Sequence, residues 1–515
     1  MHYEADVPIA GGDYVDVAFD VPAGAVECQI HHDDGSAFDI LDWGVFEPGG
    51  AFRGWGGGLT DDAIIGVDQS SRGYLPGPIA PGAWTVEIGK AKLDGDGGHY
   101  AIDVTCRDNA TLPVLARASY APLTLATERR WYRGDFHVHS EQSGDATATF
   151  DQIYALAKQR GLDFVNLSDH NTVAQHALVA AYQPAHADLL ITRGAEITTY
   201  AGHGNALGLT SYVDHRIGHA GRTIGQVLDD VQAQHAIFIV NHPTLELGDA
   251  CIGCAWKHAD TPWDKVTALE LLTGNFDIGQ RAFTPGAIAL WDQQLDAGHR
   301  IAAVGGSDDH KAGIDEGSTP SEIGSPTTLV LADNLSEAAI IDAVAHGRTI
   351  LQLRGPDDPM VDFTIGGHEI GDDVDGVSAV DAALHITGGM GSFYEIWRDG
   401  AKLNQLEITS DDFTATFHDV PGAGDHRYRV ELIDDTNQRI VVTSHIYVHA
   451  VDAAAGCGCT STSPAGALPL GLVYLKLALS MPWRWRRRRK LVRSSPDSRA
   501  ASDTEPFAFS ITASK

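Results

Sequence analysis

The chain has 515 residues and a formal net charge of -33, too long for one hydrophobic core and long enough for about three domains. Its apolar fraction of 43% and charged fraction of 20% are ordinary for a soluble globular protein. The acidic balance excludes nucleic acid as a partner, because phosphate binding needs a basic face. The charge is uneven: from Arg484 onward nine Lys or Arg stand against three Asp or Glu, so an acidic body carries a basic tail.

Residues 1–112 read as all-β. Segments 15–21, 84–88 and 100–105 alternate apolar and polar residues with period two, and Gly, Pro and Asp clusters separate them. That pattern predicts a β-sandwich. Cys28 and Cys106 lie near its two ends, and a staple between its sheets is the expected use for them. Residues 113–130 read as a linker.

From 131 to 353 the texture changes to α/β. Segments 150–160, 223–235, 283–297 and 336–346 read as helices. Segments 162–168, 189–197, 236–241, 266–272, 301–305 and 327–332 read as strands. Repeated β-α units of this length predict a parallel sheet, closed or nearly closed into a barrel. Residues 357–450 return to β texture and predict a second sandwich-like domain. Separate cores would let residues 131–353 stand alone.

Histidines and carboxylates collect at the strand ends of the central segment. His137 and His139 are spaced i, i+2, which puts both on one face of a strand. Asp145, His170, Glu196, His203, His242, Asp308 and His310 complete a set of nine candidate ligands. Imidazole and carboxylate without thiolate suit zinc, manganese or iron rather than calcium. Nine donors are too many for one ion and suffice for two or three. Cys251-x-x-Cys254 is a possible zinc half-site, but no second Cys-x-x-Cys completes it.

These motifs carry a resemblance. His137-Val-His139, Ser168-Asp-His170-Asn171, Glu196 with Gly202-His203-Gly-Asn, Asn241-His242-Pro243 and Ser307-Asp308-Asp-His310 resemble, in order and spacing, the successive motifs of the PHP (polymerase and histidinol phosphatase) superfamily. With flanking β domains the arrangement is most similar to its CehA/McbA-type metallohydrolases. The resemblance implies a distorted, TIM-like β7α7 barrel with two or three divalent ions (Zn, Mn or Fe). His137, His139, Glu196 and Asp308 would hold the first ion. Glu196 would bridge to a second ion on His203 and His242. Asp145, His170 and His310 would hold a third, although Asp145 stands where many members carry His. Glu196, Asp308 and His242 would serve the chemistry directly, and Asp169 and Asp309 would orient neighbouring histidines.

The implied activity is ester hydrolysis of a small molecule by a hydroxide bridging two ions, with a phosphate ester as the leading substrate. A carboxyl or carbamate ester is the alternative, and a non-catalytic surface binding protein is the rival of another class. Arg193 and Lys311 read as structural or solvated charges rather than anion binders. His176, His186, His215 and His219 read as surface residues, and the residues leave a substrate role for Asn205 and Asn275 open.

The tail, residues 451–515, pairs Cys457-Gly-Cys459 with an apolar run from 465 to 481 and the arginine cluster from Arg484. It resembles a MYXO-CTERM sorting tail, which implies export and membrane or cell-surface association, with a cytoplasmic enzyme as the alternative. Met1 is not followed by the basic and then apolar run of a secretory leader, so the expectation is either a chain that is not exported or a start further upstream.

Overall fold

A computed structural model describes residues 1–36, 38–59, 61–95, 97–314 and 320–452. The Cys457/Cys459 tail lies outside them. Among the described residues no helix is long and apolar enough to cross a membrane.

The period-two runs of the N-terminal segment form strands because alternation lets one face enter a core. In Tyr14–Val21 the buried residues are Val17, Phe19 and Val21, and Asp16, Ala18 and Asp20 between them face water. One antiparallel sheet joins His2–Val7, Gly98–Arg107, Glu27–Asp33 and Ala63–Gly66. A second joins Tyr14–Val21, Gly82–Lys92, Ile40–Phe46 and Phe52–Gly57. Their shared core holds Ile30, Trp43, Trp84, Ile88 and Ile102. Cys28 and Cys106 are bonded, but they face each other on adjacent strands of one sheet. The expected staple between sheets is a rung within one.

Seven strands of the central segment follow one another in space as in sequence: Arg130–Val138, Phe164–Leu167, Leu190–Thr199, Gly202–Leu207, Ile237–Val240, Ala268–Thr273 and Ala302–Gly306. The first three are parallel to one another, as are the last three. Gly202–Leu207 runs antiparallel to both its neighbours. The reason is the turn before it: Tyr200 and Ala201 are too few residues for a parallel crossover. The regular alternation expected of the barrel is broken there.

The first and seventh strands meet without a continuous ladder. The Asp308 N–H donates to the His137 carbonyl and the His139 N–H to the Asp309 carbonyl, at 2.8 and 2.9 Å. Beyond the first strand the sheet continues through Thr327–Ala332 and Thr349–Gln352 into Arg439–Thr443 of the C-terminal segment. Helices cover the outside. Phe150–Gln159 starts at a capping box of Thr149 with Gln152, and Ile224–Ala233 at one of Thr223 with Gln226.

In the C-terminal segment, Met360–Ile365, Val380–Thr387 and Asp412–Asp419 form a three-stranded sheet. It packs Phe363, Leu384 and Ile386 against Tyr394, Val430 and Val441 of the continuing large sheet. Residues 113–129 hold no strand but are pinned: Ala118 bonds to Ala177, Leu125 and Ala126 to Leu335.

Candidate metal centre

The strand Arg130–Val138 buries every residue from Gly134 to Val138, so His137 enters the interior and His139 follows at the strand's end. The seventh strand approaches closely enough that a Cβ on Gly306 would lie 2.2 Å from the His137 Cβ. Only glycine permits that contact. Beyond it, Asp308 has φ +58°, and His242, just past its own strand, has φ +27°. Left-handed backbone at residues with side chains costs about 1–3 kcal/mol and concentrates at functional sites.

The nine predicted ligands fall into three groups around one cleft. The His137 Nε2 lies 3.4 Å from Glu196 Oε2 and 3.2 Å from Asp308 Oδ1; the His139 Nε2 lies 3.5 and 3.1 Å from the same two oxygens. The other Glu196 oxygen, Oε1, is 3.4 Å from His203 Nδ1 and 3.3 Å from His242 Nε2. Asp145 Oδ2 is 3.3 Å from both His170 Nε2 and His310 Nε2. Four donors about 2.0–2.1 Å from a tetrahedral ion stand about 3.3 Å apart. The donor separations therefore fit a divalent ion.

Two further observations fit a cation. His137 Nε2 and His139 Nε2 are buried without a hydrogen-bond partner, and burying polar atoms in that state costs about 1–3 kcal/mol each. Against burial, which lowers it, the carboxylates of Asp308, Glu196 and Glu270 hold the His137 imidazole well above its ordinary pKa. That excess negative charge is what a divalent ion neutralises. Burial, with His310 and His170 beside it, pushes His139 down to about 3, which keeps the ring in its neutral, ligating form.

Several side chains that hold this arrangement have no role assigned from sequence alone. Glu270, fully buried on Ala268–Thr273, accepts from the His137 Nδ1 at 3.0 Å and from the His242 N–H at 2.9 Å. A carboxylate inside an otherwise apolar strand was the signal available. Asn241 donates to Glu196 Oε1 and to Asn205 Oδ1 at 3.0 and 2.9 Å. Thr198 Oγ1 lies 2.7 Å from His170 Nδ1. Asp135 accepts from the backbone of His137, Ser307 and Gly324, tying the first strand to the loops after the seventh.

Asp169 and Asp309 bond to loop backbone and a hydroxyl among the described residues. Asp169 accepts from the Ser140 N–H and hydroxyl, and burial lifts its pKa to about 7. Asp309 accepts from the backbone of Lys311, Ala312 and Ile323. Both shape the loops that carry ligands. Asn205 is interior, donating to the Phe136 carbonyl, and Asn275 caps the helix Phe276–Ala282. Arg193 pairs with Glu337 at 2.6 Å. His215, expected at the surface, is buried edge-on against Trp55 at 4.4 Å, because the N-terminal sandwich packs over it.

That packing completes the cleft, of about 570 Å³. Ile40, Asp42, Trp55 and residues 56–59 of the sandwich form one wall. Tyr200, Leu245, Leu247 and Ile252 line the cleft too, with Asp145, His170, Glu196, His203, His242, Asp308 and His310 of the ligand groups. The Tyr200 hydroxyl donates to Asp42 at 3.1 Å across the junction.

No protein-family model matches the chain. No curated protein matches it. Among solved structures, a two-domain protein from Bacteroides vulgatus containing a predicted PHP-like metal-dependent phosphoesterase is 15% identical. The match covers 65% of this chain and 100% of that one, with a TM-score of 0.36. A Bifidobacterium adolescentis protein named as a metal-dependent phosphoesterase is 16% identical over 36% of this chain and 92% of its own, with a TM-score of 0.27. The fibronectin(III)-like modules of Clostridium thermocellum CbhA are 14% identical over 18% of this chain and 99% of theirs, at 0.15. At these scores the likenesses transfer neither fold nor activity, and the donor geometry alone points to a metal centre.

Proposed function

We propose that this chain is a metal-dependent hydrolase of ester bonds and that its substrate is a phosphate ester. The observation that carries the reading is Glu196. Its Oε2 faces His137 and His139 and its Oε1 faces His203 and His242, as a carboxylate shared between two ions would, while His170 Nδ1 also lies 2.9 Å from Oε2. Asp145, with His170 and His310, offers a third position, and its side chain is 57% exposed to the cleft. We read the seven strands as a distorted barrel of the PHP type and the flanking β segments as CehA/McbA-like. On the same reading the chain is exported and held at the cell surface by its tail.

Bound divalent ions would supply Lewis acidity and a lowered pKa for water. The chain's own residues do the rest. The carboxylates of Glu196 and Asp308 hold charge against the ions. Glu270 and Asn241 fix ring and carboxylate orientations, and Trp55 and Leu59 narrow the access of water.

One observation favours a carboxyl or carbamate ester as the second reading. Among the described residues lining the cleft none is Lys or Arg, and Ile40, Trp55, Leu59, Leu245 and Leu247 are apolar. A neutral ester would meet no missing cation there. The test is a panel of phosphate mono- and diesters, carboxyl esters and carbamates, run after loading with manganese, zinc or iron. Turnover of a phosphate ester that chelator abolishes is expected. Turnover confined to carboxyl or carbamate esters moves the second reading ahead, and no turnover with any ion sinks both.

A further inference from the structure

The segment after His242 contains the one Cys-x-x-Cys of the sequence, and none of the chemistry above uses it. Cys251 and Cys254 are bonded to each other. Their loop lies against the turn that leads into His203: a Cβ on Gly253, whose φ is +79°, would lie 2.3 Å from the Thr199 carbonyl oxygen. Two carbonyls of this loop reach two candidate ligands. The Ile252 carbonyl accepts from His203 Nε2 and the Cys254 carbonyl from His242 Nδ1, each at 3.1 Å.

A backbone carbonyl only accepts, so each ring must carry its proton on the nitrogen that faces the loop. In the neutral rings that ligate a metal, the opposite nitrogens, His203 Nδ1 and His242 Nε2, carry the lone pairs, and both face Glu196 Oε1. The two rings need opposite tautomers, and carbonyls two residues apart impose both. An acceptor on the far nitrogen orients a ligating histidine and raises its basicity. Burial of Cys254 and Ala255 and the Trp256 N–H bond to the Pro243 carbonyl anchor the end of this loop, and the Cys251–Cys254 bond ties its start, Cys251, to that anchored end.

We propose that the Cys251–Cys254 loop is the positioning element for the ion held by His203 and His242, and that opening its disulfide weakens that ion's binding selectively. This rests on the metal reading above. It assigns Cys251, Ile252 and Cys254 no contact with substrate.

The probe is manganese(II) alone, with free ion counted by electron paramagnetic resonance, because a hard ion gains little from thiolates. Parent protein is compared with the Cys251→Ser/Cys254→Ser variant and with parent protein reduced by a water-soluble phosphine. In that reduction phosphorus gives two electrons to the S–S bond, and one water supplies the phosphine's oxygen and the protons of both thiols. Thiol counting follows the opening. The expected result is a Kd raised about tenfold or more for one manganese equivalent, with the remaining equivalents unchanged, in both preparations. The serine variant keeps the Cys28–Cys106 bond, so agreement between the two preparations assigns the effect to this loop. Equal Kd values within threefold for all equivalents, before and after opening, overturn the positioning role while leaving the metal reading intact. Parent protein that takes up no manganese overturns the metal reading, and this inference with it.

Discussion

At the scale of single residues, burial decides which histidines are ordinary. His32 lies on Glu27–Asp33, stacked 5.3 Å from Trp43, and its Nε2 is buried with no hydrogen-bond partner. Burial pushes its pKa down to about 4. The unfolded chain takes up this proton from about pH 6.5 downward and the folded chain resists until about 4. The stability that His32 allows is therefore present above 6.5 and lost as pH falls. His32→Leu is expected to remove that loss, so that near pH 4 the variant gains about 2–3 kcal/mol relative to the parent. Urea midpoints of the sandwich, read by tryptophan fluorescence with chelator present, check it at pH 7, 5.5 and 4; parallel curves would refute it. The nine ligand candidates were legible as residues because histidine and carboxylate at strand ends are chemically conspicuous. His215 was not, because its burial depends on Trp55, far away in sequence.

At the scale of elements, the strand Ile237–Val240 read clearly because its apolar residues are β-branched or aromatic. Gly202–Leu207 escaped as a strand because its sequence, Gly-His-Gly-Asn-Ala-Leu, has no β-former among small residues. That omission hid the antiparallel hairpin and with it the reason His203 faces Glu196. Ala268–Thr273 was found, but Glu270 on it passed unread. Its two oxygens serve His137 and the His242 backbone. Glu270→Gln replaces one acceptor by a donor, so one of those bonds must fail. Metal affinity is expected to fall about 10–100-fold with the fold intact, as measured by chelator competition and circular dichroism. Unchanged affinity would show that His137 needs no such partner.

At the scale of the molecule, three β-rich or α/β textures were legible as compositional shifts, but not the way they share structure. Residues 131–353 were expected to stand alone. The large sheet passes instead from Thr349–Gln352 to Arg439–Thr443, and Val442 shares a core with Leu351 and Leu353. Arg429, fully buried, pairs with Asp292 of the helix Thr284–Asp296 at 2.6 Å. Cutting at 353 would bare a sheet edge and leave these partners unmet. The fragment 131–353 is expected to aggregate or unfold without a cooperative transition, whereas residues 1–452 fold. Gel filtration and thermal melts of both decide it, and a monomeric, cooperatively melting 131–353 would contradict the shared-sheet account. Such sharing follows from long-range strand pairing, which no local pattern encodes.

The central claim is that Glu196 joins two ions. Elemental analysis of protein purified without chelator, alongside Glu196→Gln and His170→Ala, tests it most directly. The parent is expected to hold two or three ions. Glu196→Gln should lose two together, because one carboxylate serves both histidine pairs, and His170→Ala should lose only the ion beside Asp145. A parent holding one ion or none, or a Glu196→Gln variant that keeps the parent's count, would contradict the account.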